Sequence, residues 1–291
     1  MESIPDSTDT YSDCGSSGTD AGSFQFTFHP NPAANGPGLG PYEAKGDLHQ
    51  IGGGHGGHFW YTHTRDTAHL GGPGARMTID GTWTLGRSVE WARVFAHLPD
   101  TGAHTQQAHY VIKGVAGGGR HRYVNTHFSK NTWVELGVYR FTGTPRVELT
   151  NTTDDGTADE DVAWDAVAFQ PLSAKPKHMV VAMGDSYTSG AGAGAYSPES
   201  DRGHGKSTWN ACRRSDNSWP RKMMLPGQST SIGELSNNRS AIVDFLDVSC
   251  SGAKTSQLTM GNPTPWGKIG NYREKSQIDS GDLSRTPHWS C

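Results

Sequence analysis

The chain has 291 residues, 38 of them glycine, with 19% charged residues and a formal net charge of -4 at pH 7. So weak a field, with no basic stripe, argues against a nucleic-acid or polyanion partner. No window approaches the ~20 apolar residues of a membrane helix, and the first thirty residues lack the charged-then-apolar layout of a signal peptide.

Taken in chain order, residues 1–45 are Ser, Asp, Gly, Pro and Asn with few branched apolar side chains. That composition does not offset the entropy of ordering a core, so a disordered leader or linker is expected. Residues 46–172 carry short β-branched and aromatic runs, among them GHFWYTH, RMTIDGTWTL, VEWARVFAHL, TWVELGVYRF and VAWDAVAFQ, separated by Gly, Pro, Asp and Asn turns. Alternation at that spacing, uninterrupted by an amphipathic helix, predicts an antiparallel β-sandwich. Trp60, Tyr61, Trp83 and Trp133 are candidates for a sugar-stacking platform, with burial in the sandwich core as the alternative. The acidic stretch TDDGTADEDVAWD offers Asp154, Asp155, Asp159, Glu160 and Asp161 as hard oxygen ligands for calcium. It lacks the spacing of a known calcium loop, which leaves a solvated acidic turn as the competing reading.

Residues 173–177 form a short linker, and residues 178–291 differ in texture. KHMVVAMGDS is an apolar run ending in a Gly-Asp-Ser turn, which suits a buried parallel strand delivering a residue to the C-terminal edge of an α/β sheet. VDFLDVSCSG, near Val243 to Gly252, repeats the arrangement. One helix is expected around Ser218 to Leu225, with Pro220 acceptable in its first turn. Cys14, Cys212, Cys250 and Cys291 form no CxxC or Cys/His cluster, which argues against structural zinc. Cys212 and Cys250 share the second domain and are the natural disulfide pair, with two free buried thiols as the alternative.

The Gly184-Asp185-Ser186 turn is not a GxSxG nucleophile elbow, because Thr188 stands where the last glycine belongs, and it is not GDSGG, because Tyr187 follows the serine. Three ordered blocks, GDSYTSGAGA, NACRRSDNSWP and CSGAKT, resemble the GDSL (SGNH) serine hydrolases, in particular their secreted actinobacterial lipase and esterase branch. The resemblance implies an incomplete α/β three-layer (flavodoxin-like) domain that hydrolyses carboxylic esters through a Ser186 acyl-enzyme without a cofactor. It implies a secreted protein acting on a lipid, an acylated polysaccharide or another acyl ester. Ser186 and Gly252 would each give a backbone N–H to the oxyanion, a contribution of about 3 kcal/mol per donor. A glycine at 252 lets the amide approach closely. Asp185 is a turn former rather than the triad acid. In the first domain GHFWYT, WARVFAHLPDTGAHTQQAHYVI, TWVELGVYRF and VAWDAVAF resemble golvesin-like, xanthan-lyase-type carbohydrate-binding-like modules. This implies a jelly-roll-like sandwich that tethers a catalytic partner to a polymer.

The match stops after CSGAKT. The hydrolase block that supplies an oxyanion asparagine and the DxxH block that supplies acid and base are not found, and His288 has Arg285 three residues before it. The expectation is therefore a truncated portion of a larger enzyme with little turnover. The competing expectation is a non-catalytic carbohydrate- or surface-binding protein with a degenerate hydrolase half, and a Gly/Ser-rich linker is the bland reading of SGAGAGAYSP.

Overall fold

The computed structural model describes residues 22–29, 48–65, 78–127, 130–153, 160–202, 210–259, 274–281 and 283. The chain divides into two compact units, Met1–Leu136 with Arg140–Pro171, and Gly137–Tyr139 with Leu172–Cys291.

The first unit is built of β1 (Gly22–His29), β2 (His49–Gly52), β3 (His58–His63), β4 (Thr78–Leu85), β5 (Trp91–Leu98), β6 (Ala108–Val115), β7 (Arg120–Val124), β8 (Thr132–Thr150), β9 (Asp161–Trp164) and β10 (Val167–Leu172). Seven strands form one sheet in the order β1-β4-β8-β5-β10, with β6 also on β8 and β7 on β6, while β2-β3-β9 form a second. The β1–β4, β4–β8, β6–β7 and β6–β8 pairings are antiparallel, as are both pairings of the three-stranded sheet.

Tryptophans cross-paired on β3 and β9 join the two sheets. Trp60 lies opposite Trp164, and both meet Phe26 of β1 edge-on at 5.7 and 5.2 Å between centroids. Trp164 is fully buried and donates its indole N–H to the Leu149 carbonyl of β8 at 2.9 Å, so the ring fills the core with its one polar atom satisfied. It lies so close to β4 that a Cβ on Gly81 would come within 2.3 Å of the ring.

One expectation is corrected by β1. The segment expected to be a disordered leader contains β1, whose Phe24 and Phe26 are buried. Its FQFTF alternation supplies apolar area that outweighs the polar composition around it. Among the aromatic candidates, Trp60 takes the core place that is the alternative to a platform, Tyr61 follows it on the same strand and therefore faces the other way, Trp83 belongs to the other sheet, packed on Phe24, and Trp133 packs on His55 and His97.

The second unit contains a parallel pair, β11 (His178–Ala182) and β12 (Val243–Asp247), in register from His178 opposite Val243 to Ala182 opposite Asp247. Four short helices accompany it, α1 (Ser186–Ser189), α2 (Trp219–Lys222), α3 (Ile232–Asn237) and α4 (Gln277–Gly281). Ala182, Leu225, Ile232, Leu235, Val243 and Phe245 make its main core, with Val180 packed against it. α3 is started by Ser231 and Glu234, each of which satisfies a backbone N–H of the other. The described residues build one parallel pair and no helix longer than six residues, not a flavodoxin-like three-layer sheet. No helix among the described residues is long and apolar enough to cross a membrane.

Candidate active site

Ser186 stands just past the C-terminal end of β11, at the first position of α1. The turn that places it there depends on Gly184, whose φ is +140° and where a Cβ would lie 2.5 Å from the Thr188 hydroxyl. Asp185 caps α1, its carboxylate accepting from the Tyr187 N–H at 3.0 Å, and Gly190 closes the helix in a left-handed conformation.

Gly252 occupies the equivalent loop after β12. Its φ is +85°, and the Ala253 N–H donates to the Cys250 carbonyl at 2.9 Å. Residues 250–253 thus form a tight turn that needs positive φ at its third residue, a backbone reason for glycine in addition to close approach.

The strand ladder continues past the strands into these loops. Val248 N–H donates to the Ala182 carbonyl at 3.0 Å and Cys250 N–H to the Gly184 carbonyl at 3.0 Å. Ser186 lies two residues beyond Gly184, and Gly252 two residues beyond Cys250. Among the described residues, neither the Ser186 hydroxyl nor the backbone N–H of Ser186 or Gly252 has a hydrogen-bond partner. Ser186 and Gly252 are both half-buried.

A covalent and polar frame holds this pair of loops. Cys212 and Cys250 are joined by a disulfide, and the Ser251 N–H donates to the Cys212 carbonyl at 2.9 Å. Arg214 donates through Nε to the Ser249 carbonyl at 2.9 Å and pairs with Glu274 at 3.1 Å, while Asn210 donates to the same carboxylate at 2.7 Å. Burial pulls the Arg214 pKa down, but Glu274 and Asp247 more than offset it, so the guanidinium is held more firmly charged than usual. Asp247, at the end of β12, accepts from the Ser249 N–H and hydroxyl through Oδ1. Its other oxygen is enclosed without a partner, and burial pushes its carboxyl above the usual range despite Arg214.

Gln277 of α4 makes the most direct hold on the serine turn. Its Oε1 accepts from the Gly184 N–H and its Nε2 donates to the Gly184 carbonyl, both at 2.8 Å. The sequence alone assigns no role to Gln277, Glu274 or Arg214, although Arg214 lies within the NACRRSDNSWP block, because a bond between segments far apart in the chain leaves no periodic signal.

Three histidines of the second unit, His178, His204 and His288, are the imidazoles in its sequence that a missing base could come from. His178 opens β11 at the end opposite Ser186, with about 13 Å of strand between His178 and Ala182, too far for proton transfer. His204 and His288 lie outside the described residues, as do Cys14, Cys291, Asp154, Asp155 and Asp159. Asp161 is described, but not as a free metal ligand. Its two oxygens bond to His63 at 2.8 Å and His104 at 2.9 Å, and Glu160 pairs with His127 at 3.5 Å. No group of three or more His, Cys, Asp or Glu among the described residues is arranged to hold a metal. Glu160 and Asp161 are thus tied to histidines from β3 and from two loops.

No family model matches the chain, and no curated protein matches it in sequence. Among solved structures, a Paenibacillus xanthan lyase is similar over 51% of this chain at 15% identity and a TM-score of 0.30. A family two carbohydrate esterase from Cellvibrio japonicus is similar over 93% at 11% identity and a TM-score of 0.20. One from Clostridium thermocellum is similar over 66% at 14% identity and a TM-score of 0.17. The chain spans 13%, 64% and 53% of those three chains respectively, and likeness at this level assigns neither fold nor activity.

Proposed function

We propose that the second unit carries the nucleophile half of a GDSL (SGNH)-type serine esterase centre, with Ser186 attacking the ester carbonyl and the Ser186 and Gly252 N–H groups receiving the oxyanion. The observation that carries this reading is the Cys250 N–H bond to the Gly184 carbonyl, which sets the two loops side by side at the C-terminal ends of parallel strands. An acyl transfer needs those elements together: a hydroxyl on a fixed turn and unpaired backbone donors beside it, committed before substrate arrives. The substrate class is a carboxylic ester of a lipid, an acylated polysaccharide or another acyl ester. The first unit serves as a polymer-targeting sandwich of jelly-roll type, joined at residues 173–177. The Cys212–Cys250 bond suits an oxidising, extracellular setting.

A second reading, a non-catalytic carbohydrate- or surface-binding protein, is favoured by one observation. Among the described residues the imidazole of the second unit is His178, at the wrong end of its strand. A serine hydroxyl without a base is a poor nucleophile, so we expect Ser186-dependent hydrolysis of short p-nitrophenyl esters at well under 1 per second, the low end of ordinary turnover. A small rate that disappears in Ser186→Ala supports the esterase reading. Equal rates for the two proteins support the second reading. A Ser186-dependent rate above about 1 per second would mean that a base acts on Ser186, and His204 and His288 are then the residues to mutate.

A further inference from the structure

We propose that Gln277 is the positioning residue of the serine turn, fixing through Gly184 the register between the Ser186 and Gly252 loops; its consequence for chemistry rests on the esterase reading above. A primary amide is the side chain that offers a donor and an acceptor side by side. Here both are used on one residue, the acceptor on the Gly184 N–H and the donor on the Gly184 carbonyl, each at 2.8 Å. That two-bond exchange is what a residue of an adjacent antiparallel strand would provide. Gln277 therefore continues the sheet edge at a point where no strand lies, and it does so from 93 residues away in sequence.

The Gly184 carbonyl accepts a second bond, from the Cys250 N–H at 3.0 Å. Both of its lone pairs are then committed, one to the loop that carries Gly252 and one to α4. Gly184 has no side chain of its own to anchor it, so these bonds fix its orientation, and Ser186 follows two residues later. Gln277 is buried, 4% exposed, which keeps water from competing for either bond. Its own placement does not depend on Gly184: Ser276 and Asp279 bond reciprocally across the first turn of α4, and Glu274 anchors the same segment to Arg214 and Asn210. Removing the Gln277 side-chain amide should therefore release the serine turn without unfolding the unit.

The test uses the full chain with Gln277→Leu and Gln277→Glu, reading amide hydrogen exchange residue by residue together with the rate of Ser186 labelling by a fluorophosphonate. In Gln277→Leu we expect exchange at Gly184 and Cys250 to accelerate at least tenfold while Val248, bonded to Ala182, is unchanged, and labelling of Ser186 to slow at least tenfold. At neutral pH the ionised carboxylate of Gln277→Glu still accepts from the Gly184 N–H but cannot donate to the Gly184 carbonyl, so Gly184 should stay protected while Cys250 exchange and the labelling rate move toward the leucine variant. Relative to wild type at the same pH, the glutamate variant should recover as the pH falls and the carboxyl regains an O–H. A residue with only a general stabilising role would shift all three amides together and show no such recovery. Unchanged exchange at Gly184 and Cys250 in the leucine variant overturns the proposal, as does, where wild type takes the label, faster exchange with an unchanged labelling rate. A wild type that takes no label while its Gly184 exchange still responds to Gln277 supports the positioning role and removes the esterase reading.

Discussion

Asp165 has no exposed side-chain surface, yet it is a carboxyl held by a 2.6 Å bond to His97 Nδ1 and by the His55 N–H on both oxygens. Burial raises its pKa above the usual carboxylate range, and the bonds from His97 and His55 only partly counter that. A raised pKa means that the folded state binds this proton more tightly than the unfolded chain does. The associated stability is full below the unfolded carboxyl's pKa of about 4 and is lost as pH rises through the folded value. The melting temperature of Asp165→Asn minus that of wild type should therefore be more positive at pH 7 than at pH 4. The opposite trend in thermal melts would show that the ionised carboxylate is favoured by its surroundings. Nothing in the sequence announces this residue, because its partners lie 68 and 110 positions away. By contrast, Asp185 and Ser186 are legible from sequence, since turn chemistry is local.

At the scale of elements, local patterns are legible and long-range ties are not. The alternation of HFWYTH and TWVELGVYRF predicts strands, and both regions form them, as β3 and the first part of β8. The apolar run before Gly184 becomes β11 and VDFLD becomes β12. β1 is hidden by its polar surroundings, although Phe24, Phe26 and Phe28 alternate. What sequence reasoning does not supply is the frame around the loops, where Arg214, Glu274 and Gln277 act through bonds between segments far apart in the chain. The Cys212–Cys250 bond closes a span of 38 residues around this frame, for which chain entropy gives a contribution of about 4 kcal/mol. The double variant Cys212→Ser, Cys250→Ser should lower the second unit's unfolding free energy by an amount of that order, seen as a lower urea midpoint read from exchange at Val248. The first unit, which has no cysteine among its described residues, serves as the unaffected reference. An unchanged second-unit midpoint would mean that the polar bonds hold the loops without the disulfide.

Over the whole molecule, each unit closes its own core: aromatic and cross-sheet in the first, around Phe26, Trp60 and Trp164, and small and aliphatic in the second, around Val243, Ile232 and Leu235. The change of texture near Leu172 is legible because the residue patterns on its two sides serve different architectures, antiparallel strands before it and a parallel pair with short helices after it. The chemistry is less legible as a whole, since it depends on how separate loops are brought together rather than on any one motif. The proposed role of Ser186 as a nucleophile beside Gly252 is tested most directly by mapping the adduct of a fluorophosphonate by mass spectrometry on the intact chain. Slow formation of a single adduct is expected, on Ser186 and absent in Ser186→Ala. An adduct on another residue, or none on Ser186 after prolonged exposure, would contradict it.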